Sequence, residues 1–184
     1  MPKAFLFHGT GGHSKENWFP WMQVELERRG YETVIPDFPE ADNPHPDSWY
    51  PVIDGLVSEV KSDSIIIGHS LGGAIALRFL ERISTKVHVA AFISATLGIP
   101  PIKYIEGDHP FLEGGFDWEK IRNSVEHSIV FHSDDDPYVC IANGEKAADE
   151  LRVELSFVPN AGHFNEAAGY LAFPDLLGKL ESFI

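Results

Sequence analysis

Residues 64–80 read SIIIGHSLGGAIALRFL and divide into three parts. The first four residues are a serine and three β-branched isoleucines, a run typical of a strand buried on both faces of a parallel sheet. The next five residues, GHSLG, have glycine at both ends and predict a tight turn, and residues 73–80 have the composition of a helix. Because parallel strands are connected through helices, a strand that turns directly into a helix predicts an α/β fold.

Ser70 lies at the centre of this turn, with Gly68 and Gly72 two residues to either side. The pattern G-x-S-x-G between a strand and a helix is that of a nucleophile elbow, in which the glycines let strand and helix approach closely. The helix also directs backbone N–H groups and its positive dipole end toward the serine hydroxyl. The turn therefore predicts a nucleophile and half of an oxyanion hole. The alternative is a structural glycine-rich turn that contains a serine by chance.

The rest of the chain repeats the alternation of strands and helices. Short apolar runs predict five more strands, at residues 4–7, 32–35, 87–93, 128–131 and 153–158. Segments with helical periodicity lie between and after them, at residues 18–29, 48–61, 71–83, 139–151 and 167–184. This order predicts a single doubly wound α/β domain over residues 1–184, with a mostly parallel sheet of about six strands.

One segment, residues 94–126, interrupts the alternation with seven glycines and prolines among aromatic residues. It leaves the carboxyl end of the predicted strand 87–93, on the side to which Ser70 points. Long irregular inserts in compact domains commonly form lids or binding loops. We therefore expect a short cap over a pocket, with a purely structural connection as the alternative.

Composition narrows the classes of partner. The net charge of −14 argues against nucleic acid and anionic membranes, which bind clustered lysine and arginine. The sequence has no signal-peptide core, and no apolar stretch approaches the roughly 20 residues of a membrane span. Its single cysteine, Cys140, excludes an intrachain disulfide and zinc sites built on several thiolates. We expect a soluble, cytoplasmic protein that acts on a small molecule.

An activated serine requires a histidine and a carboxylate, which in this architecture follow in the order Ser, Asp, His. Three consecutive aspartates, residues 134–136, follow the predicted strand 128–131, and His163 follows the last predicted strand. Asp136 is the favoured acid because Pro137 biases it toward an extended backbone, and Asp135 is the second choice. A metal site is the competing interpretation of the acidic run, but the residue spacing of a calcium loop is absent. We expect no metal and no cofactor.

The loop after the first strand, residues 8–12, reads HGTGG and would bring backbone amides close to the elbow. The N–H groups of Thr10 and Leu71 are therefore the predicted oxyanion donors. The same glycines could indicate a dinucleotide-binding oxidoreductase, but the third glycine of G-x-G-x-x-G is missing. That function remains a weaker alternative.

Large aromatic residues lie near loops that should border the predicted active face. Trp18 and Trp118, together with His8, are the candidate substrate-pocket residues, and such walls would suit a modest apolar acyl or aryl group. Packing of each tryptophan in the core or cap is the alternative.

Several segments together resemble the small α/β-hydrolases related to retinoblastoma-binding protein nine and bacterial YdeN. They are NWFPW at residues 17–21, IIGHS at 66–70, FDWEKI at 116–121, the Asp135-Asp136 pair, and GHF at 162–164. The resemblance implies a serine hydrolase with a triad of Ser70, Asp136 and His163. It also implies a compact sheet that lacks the first two strands of larger relatives, and a short cap.

The chain departs from that group at the L-x-C-x-E sequence which binds the retinoblastoma pocket. Residues 56–59 read LVSE here and contain no cysteine, so this partner is not expected. The sequence favours a hydrolase that cleaves an ester, thioester or amide through an acyl-enzyme on Ser70. A binding scaffold with little turnover is the alternative, although such a role would not require a complete triad.

Overall fold

Six parallel strands form one sheet in the order β2-β1-β3-β4-β5-β6 in the computed structural model, which describes residues 1–184. The strands are β1 (Lys3–Phe7), β2 (Glu32–Val34), β3 (Ile65–His69), β4 (Val87–Ile93), β5 (Val125–His132) and β6 (Leu155–Phe157). The order reverses between β1 and β3, which are hydrogen-bonded neighbours. Open α/β sheets bind ligands outside the carboxyl ends of strands at such a switch point, so the fold itself indicates where to look for a site.

Seven helices cover the two faces of the sheet. They are α1 (Phe19–Arg28), α2 (Pro46–Leu56), α3 (Leu71–Arg82), α4 (Ile105–Leu112), α5 (Trp118–Asn123), α6 (Ala142–Leu151) and α7 (Pro174–Glu181). Side chains of α2, α3 and α6 share one hydrophobic cluster with Phe5 and Phe7, whereas those of α1 and α7 share another with Ala4 and Leu6. Alternate residues of β1 thus face opposite cores, which confirms the predicted doubly wound α/β fold.

The predicted boundaries agree best where an element is buried. The central strand β4 has the predicted bounds, and α3 ends one residue before the predicted end. The edge strand β6 has only three residues instead of six, because it pairs with β5 alone. The last helix begins at Pro174 and not at residue 167, and proline is favoured at this first helical position.

The insert at residues 94–126 contains two short helices, α4 and α5, where the sequence indicated an irregular segment. Phe111 of α4 is fully buried and its ring lies 5.3 Å from that of Trp49, so part of the insert packs on the core. Tyr104, which precedes α4, is exposed and lines a cleft at the carboxyl edge of the sheet. No helix in the structure has the length and apolar character needed to cross a membrane.

Candidate active site

The backbone at Ser70 has φ 59° and ψ −126°, a conformation that costs free energy in a non-glycine residue. A Cβ added to Gly68 would lie 2.2 Å from the carbonyl oxygen of Gly72, and one added to Gly72 would lie 2.0 Å from that of Phe7. The strained turn is held from both sides, since Ser70 N–H donates to Ile93 and Ser70 C=O accepts from Thr96 N–H. The two glycines are therefore required by the close approach of β1, β3 and α3.

The loop after β1 crosses directly over the elbow at Gly9. A Cβ at Gly9 would lie 2.7 Å from Ser70 Cβ and 3.1 Å from the backbone nitrogen of Leu71. Because Leu71 is the first residue of α3, its N–H has no acceptor within the helix. Thr10, the residue after Gly9, lines the same cleft as Ser70.

His163 lies on the loop after β6, and its Nδ1 is 2.8 Å from Oδ2 of Asp136. The Asp136 side chain has no exposed surface, and its other oxygen accepts from the N–H groups of Tyr138 at 2.8 Å and Val139 at 3.1 Å. Burial raises the pKa of Asp136, but the hydrogen bond and charge of His163 and the backbone donors outweigh burial and hold the pKa below its ordinary value. An ionised Asp136 accepts a hydrogen bond from the Nδ1–H of His163, which leaves Nε2 as the basic nitrogen.

The other two aspartates of the run have separate partners. Asp134 accepts from the N–H of Asn160 at 2.9 Å, and Asp135 accepts from the N–H of Gly162 at 2.7 Å. The hydroxyl of Ser133 also donates to Asp135, and these bonds lower the pKa of Asp135. Both carboxylates therefore hold the loop that carries His163, while Asp136 holds its ring.

The nucleophile and the base border one cleft. Ser70, His69 and His163 all line a cavity of about 300 Å³ at the switch point of the sheet. Its remaining walls are mainly polar and include Glu16, Asn17, Asp42, Tyr104, Tyr138 and Asn165. Ser70 Oγ and the His163 ring are not hydrogen-bonded to each other in the structure, and such catalytic bonds commonly tighten when substrate binds.

The acidic walls set the electrostatics of this cleft. Burial raises the pKa of Glu16 to about 6, and no lysine or arginine lines the cavity. A second cavity of about 420 Å³ adjoins the cleft and shares Thr10, Asp42 and Tyr104 with it. Neither cavity is lined by a tryptophan, and the aromatic residues of their walls are Tyr104 and Tyr138.

The three candidate pocket residues lie elsewhere, so this part of the prediction was wrong. Trp18 is fully buried, and its Nε1 donates to the carbonyl of Phe164 beside His163. His8 is also fully buried, where its Nε2 accepts from Phe38 N–H at 3.0 Å. Trp118 begins α5 and packs on the ring of Phe116, away from the cleft. Helical spacing places a tryptophan on an apolar face, but it does not distinguish a core face from a pocket wall.

Sequence reasoning missed two side chains that contact the His163 residue. The Nε2–H of His69 donates to the carbonyl of His163 at 2.7 Å, and the Tyr138 ring lies 4.7 Å from the imidazole, centroid to centroid. Burial is the main reason that the pKa of His69 falls to about 3, so this ring is neutral. Only the position of His69 inside G-x-S-x-G could have drawn notice to it, and no spacing signal indicates Tyr138.

Comparison with known proteins gives relatives over the whole chain. YdeN of Bacillus subtilis is 26% identical over 181 residues, which cover 98% of this chain and 95% of that protein. Serine hydrolase RBBP9 of Rattus norvegicus is 29% identical over 189 aligned residues, which cover 99% of this chain and 95% of that protein.

Solved structures of other proteins also match nearly the whole chain. The crystal structure of the YdeN gene product superposes with a TM-score of 0.92 at 26% identity, covering 100% of this chain and 98% of the other. Est1E from Butyrivibrio proteoclasticus, solved with ferulic acid bound, has a TM-score of 0.70 at 16% identity, covering 98% and 90%. At that identity Est1E shows the shared α/β-hydrolase fold alone.

A model of the serine hydrolase family matches residues 4–182, which include the elbow, the aspartate run and the loop of His163. The strained serine, the buried carboxylate and the imidazole bonded to that carboxylate thus occur in a chain whose relatives match nearly its whole length. The chain belongs to the serine hydrolase family.

Proposed function

We propose that this serine hydrolase cleaves an ester, thioester or amide of a small molecule through an acyl-enzyme on Ser70, with His163 as base and Asp136 as its partner. The observation that carries the assignment is the 2.8 Å contact between His163 Nδ1 and the buried Asp136, beside the cleft that Ser70 lines. A carboxylate at Nδ1 fixes the tautomer in which Nε2 accepts the serine proton.

The reaction follows from these positions. Ser70 Oγ attacks the substrate carbonyl as His163 Nε2 takes its proton, and the N–H groups of Leu71 and Thr10 bind the oxyanion. His163 then returns the proton to the leaving group, and Asp136 stabilises the imidazolium without itself taking a proton. Water, activated by the same imidazole, hydrolyses the acyl-enzyme and releases Ser70.

The cleft favours a compact, polar substrate. A cavity of about 300 Å³ is at the small end of ligand pockets. Its mainly polar walls offer little apolar area to a long acyl chain. Methylene groups that stay in water gain none of the roughly 0.8 kcal/mol that burial of each one provides. The carboxylates of Glu16 and Asp42 disfavour an anionic group in the same space.

The same physical arguments extend to the setting of the protein. We propose that it works in the cytoplasm on small molecules, since its one cysteine leaves it without disulfides. Its net charge of −14 disfavours nucleic acid and anionic membranes as partners.

Labelling with a fluorophosphonate probe tests the assignment. The wild-type protein should be labelled on Ser70, as located by peptide mass spectrometry, and Ser70→Ala should not be labelled. Ser84→Ala, at an exposed position just past the C-terminal end of α3, is the matched control and should be labelled like the wild type. Folded wild-type protein that resists labelling and hydrolyses none of a series of p-nitrophenyl esters would instead indicate a binding scaffold.

A further inference from the structure

Asp108 of α4 is a buried carboxyl group that the proposed reaction does not use. Only 2% of its surface is exposed, yet it lies in α4, the helix of the insert that lines the second cavity next to the cleft. Its Oδ1 accepts a hydrogen bond from Oγ1 of Thr10 at 2.6 Å, across 98 positions of sequence. The bond joins the insert to the loop that carries a proposed oxyanion donor.

The Asp108 carboxyl lies near groups of the proposed active site, namely Thr10 and His163. Burial is the main cause that raises the pKa of Asp108 to about 6, while the hydroxyls of Thr10 and Thr96 and the charge of His163 lower it. Thr96 Oγ1 is itself buried and forms no hydrogen bond of ordinary geometry. No lysine or arginine contributes to this balance, so Asp108 is not half of a structural ion pair.

The Thr10 loop has few other attachments at this point. Gly11 N–H donates to the carbonyl of Ala41 at 2.7 Å, and Gly12 N–H donates back to Gly9 within the loop. Thr10 lies between Gly9, which packs against Ser70, and Gly11. The hydrogen bond to Asp108 is the only one that the Thr10 side chain forms. The direction of the Thr10 N–H therefore depends on where α4 holds that carboxyl.

We propose that Asp108 is a positioning residue, whose hydrogen bond to Thr10 Oγ1 couples helix α4 to the oxyanion hole and aims the Thr10 N–H at the oxyanion. This inference rests on the proposed function. Because an oxyanion donor acts on the transition state more than on bound substrate, loss of the bond lowers kcat and leaves KM nearly unchanged.

Four variants test the bond from both of its ends. Asp108→Ala should lower kcat about 10- to 100-fold with KM within about threefold, which is the scale of a displaced or lost donor. Asp108→Asn retains an acceptor oxygen and should keep kcat within about threefold of wild type. Thr10→Val should match Asp108→Ala, and Thr10→Ser, which keeps the hydroxyl, should recover most of the kcat that Thr10→Val loses. His109→Ala, exposed on the same helix, is the control and should leave kcat unchanged.

The double variant Thr10→Val/Asp108→Ala should be no slower than the slower single variant, because both remove one bond. The proposal is overturned if Asp108→Ala keeps wild-type kcat, if Asp108→Asn is as slow as Asp108→Ala, or if the two single losses multiply. Should Asp108→Ala fail to fold, Thr10→Val against Thr10→Ser decides the question alone. Fluorophosphonate labelling of wild-type Ser70 reports separately on the proposed function, since its failure would precede any comparison of variants.

Discussion

The Nε2–H of His69 donates to the carbonyl oxygen of His163 at 2.7 Å, so the residue next to the nucleophile holds the backbone of the base. The two rings lie 4.7 Å apart, centroid to centroid. A single residue of the elbow thereby fixes the distance between the two loops that carry Ser70 and His163.

Replacing His69 should therefore slow the reaction without removing a reacting group. We expect His69→Ala to lower kcat about 10-fold or more, because displacement of a base by about 1 Å is costly. Since the pKa of His69 is about 3, its loss should reduce the rate equally at pH 6 and pH 9. Steady-state kinetics at both pH values measure this, and a deficit confined to one of them would show that His69 titrates.

The two neighbouring aspartates should respond very differently to the same change. Asp136→Asn removes the charge that stabilises the imidazolium and fixes its tautomer, and a loss of about 10⁴-fold in kcat is typical for such a change. Asp135→Asn disturbs only the bonds to Ser133 and Gly162 and should cost about 10-fold or less. Parallel kcat measurements compare them, and the reverse ranking would reassign the orienting acid to Asp135.

Glycines near the nucleophile should tolerate a methyl group far less well than glycines on outer helices. Gly9→Ala places a Cβ 2.7 Å from Ser70 Cβ and should reduce activity strongly. Gly55→Ala and Gly178→Ala meet no atom within 4 Å, lie in α2 and α7, and should stabilise the protein by roughly 0.5–1 kcal/mol each. Thermal unfolding and esterase assays on all three test this, and an active, stable Gly9→Ala would mean that the loop can move off Ser70.

Burial of Asp108 should make the stability of the fold depend on pH. The folded pKa of about 6 lies above the ordinary aspartate value of 3.8, so protonation favours the folded state. This contribution is present below pH 4 and lost as pH rises through about 6. Asp108→Asn removes the buried charge. It should therefore raise the free energy of unfolding at pH 8 by up to about 3 kcal/mol and change it little at pH 4.

Urea unfolding of wild type and Asp108→Asn at the two pH values measures this difference. Equal stabilities at pH 8 would show that the carboxylate is adequately solvated.

Asp136 should give stability the opposite dependence on pH. Its pKa is held low, so the stability it contributes is present above its unfolded pKa and declines as pH falls through the folded value.

Local chemistry was enough to predict most of the architecture. The run of residues 64–67 and the glycines of the turn specify the strand, elbow and helix, because few other structures accommodate that pattern. The edge strand β6 and the start of α7 could not be placed well, since their limits depend on one-sided pairing and on Pro174. Alternation and turn chemistry therefore predict elements better than their ends.

The sequence predicted the reacting residues of the site better than the residues that line its cleft. Ser70, His163 and the aspartate run follow from chain order, and the structure places Asp136 against the imidazole. Trp18 and His8 are buried in the two cores, because an aromatic residue beside a loop gains more from packing than from lining a wet cleft. The contact between Asp108 and Thr10 spans 98 positions, and no periodic pattern encodes such a bond.

Each of the three aspartates at 134–136 accepts a hydrogen bond from a different donor. In chain order, the donors are the backbone N–H of Asn160, the backbone N–H of Gly162 and the imidazole of His163. Deleting or adding one residue in this turn would shift each carboxylate by one position, so that it no longer faced its present partner. Loop length at this point is therefore as constrained as residue identity, and a homologue with a shortened turn would have to recruit its acid from another segment.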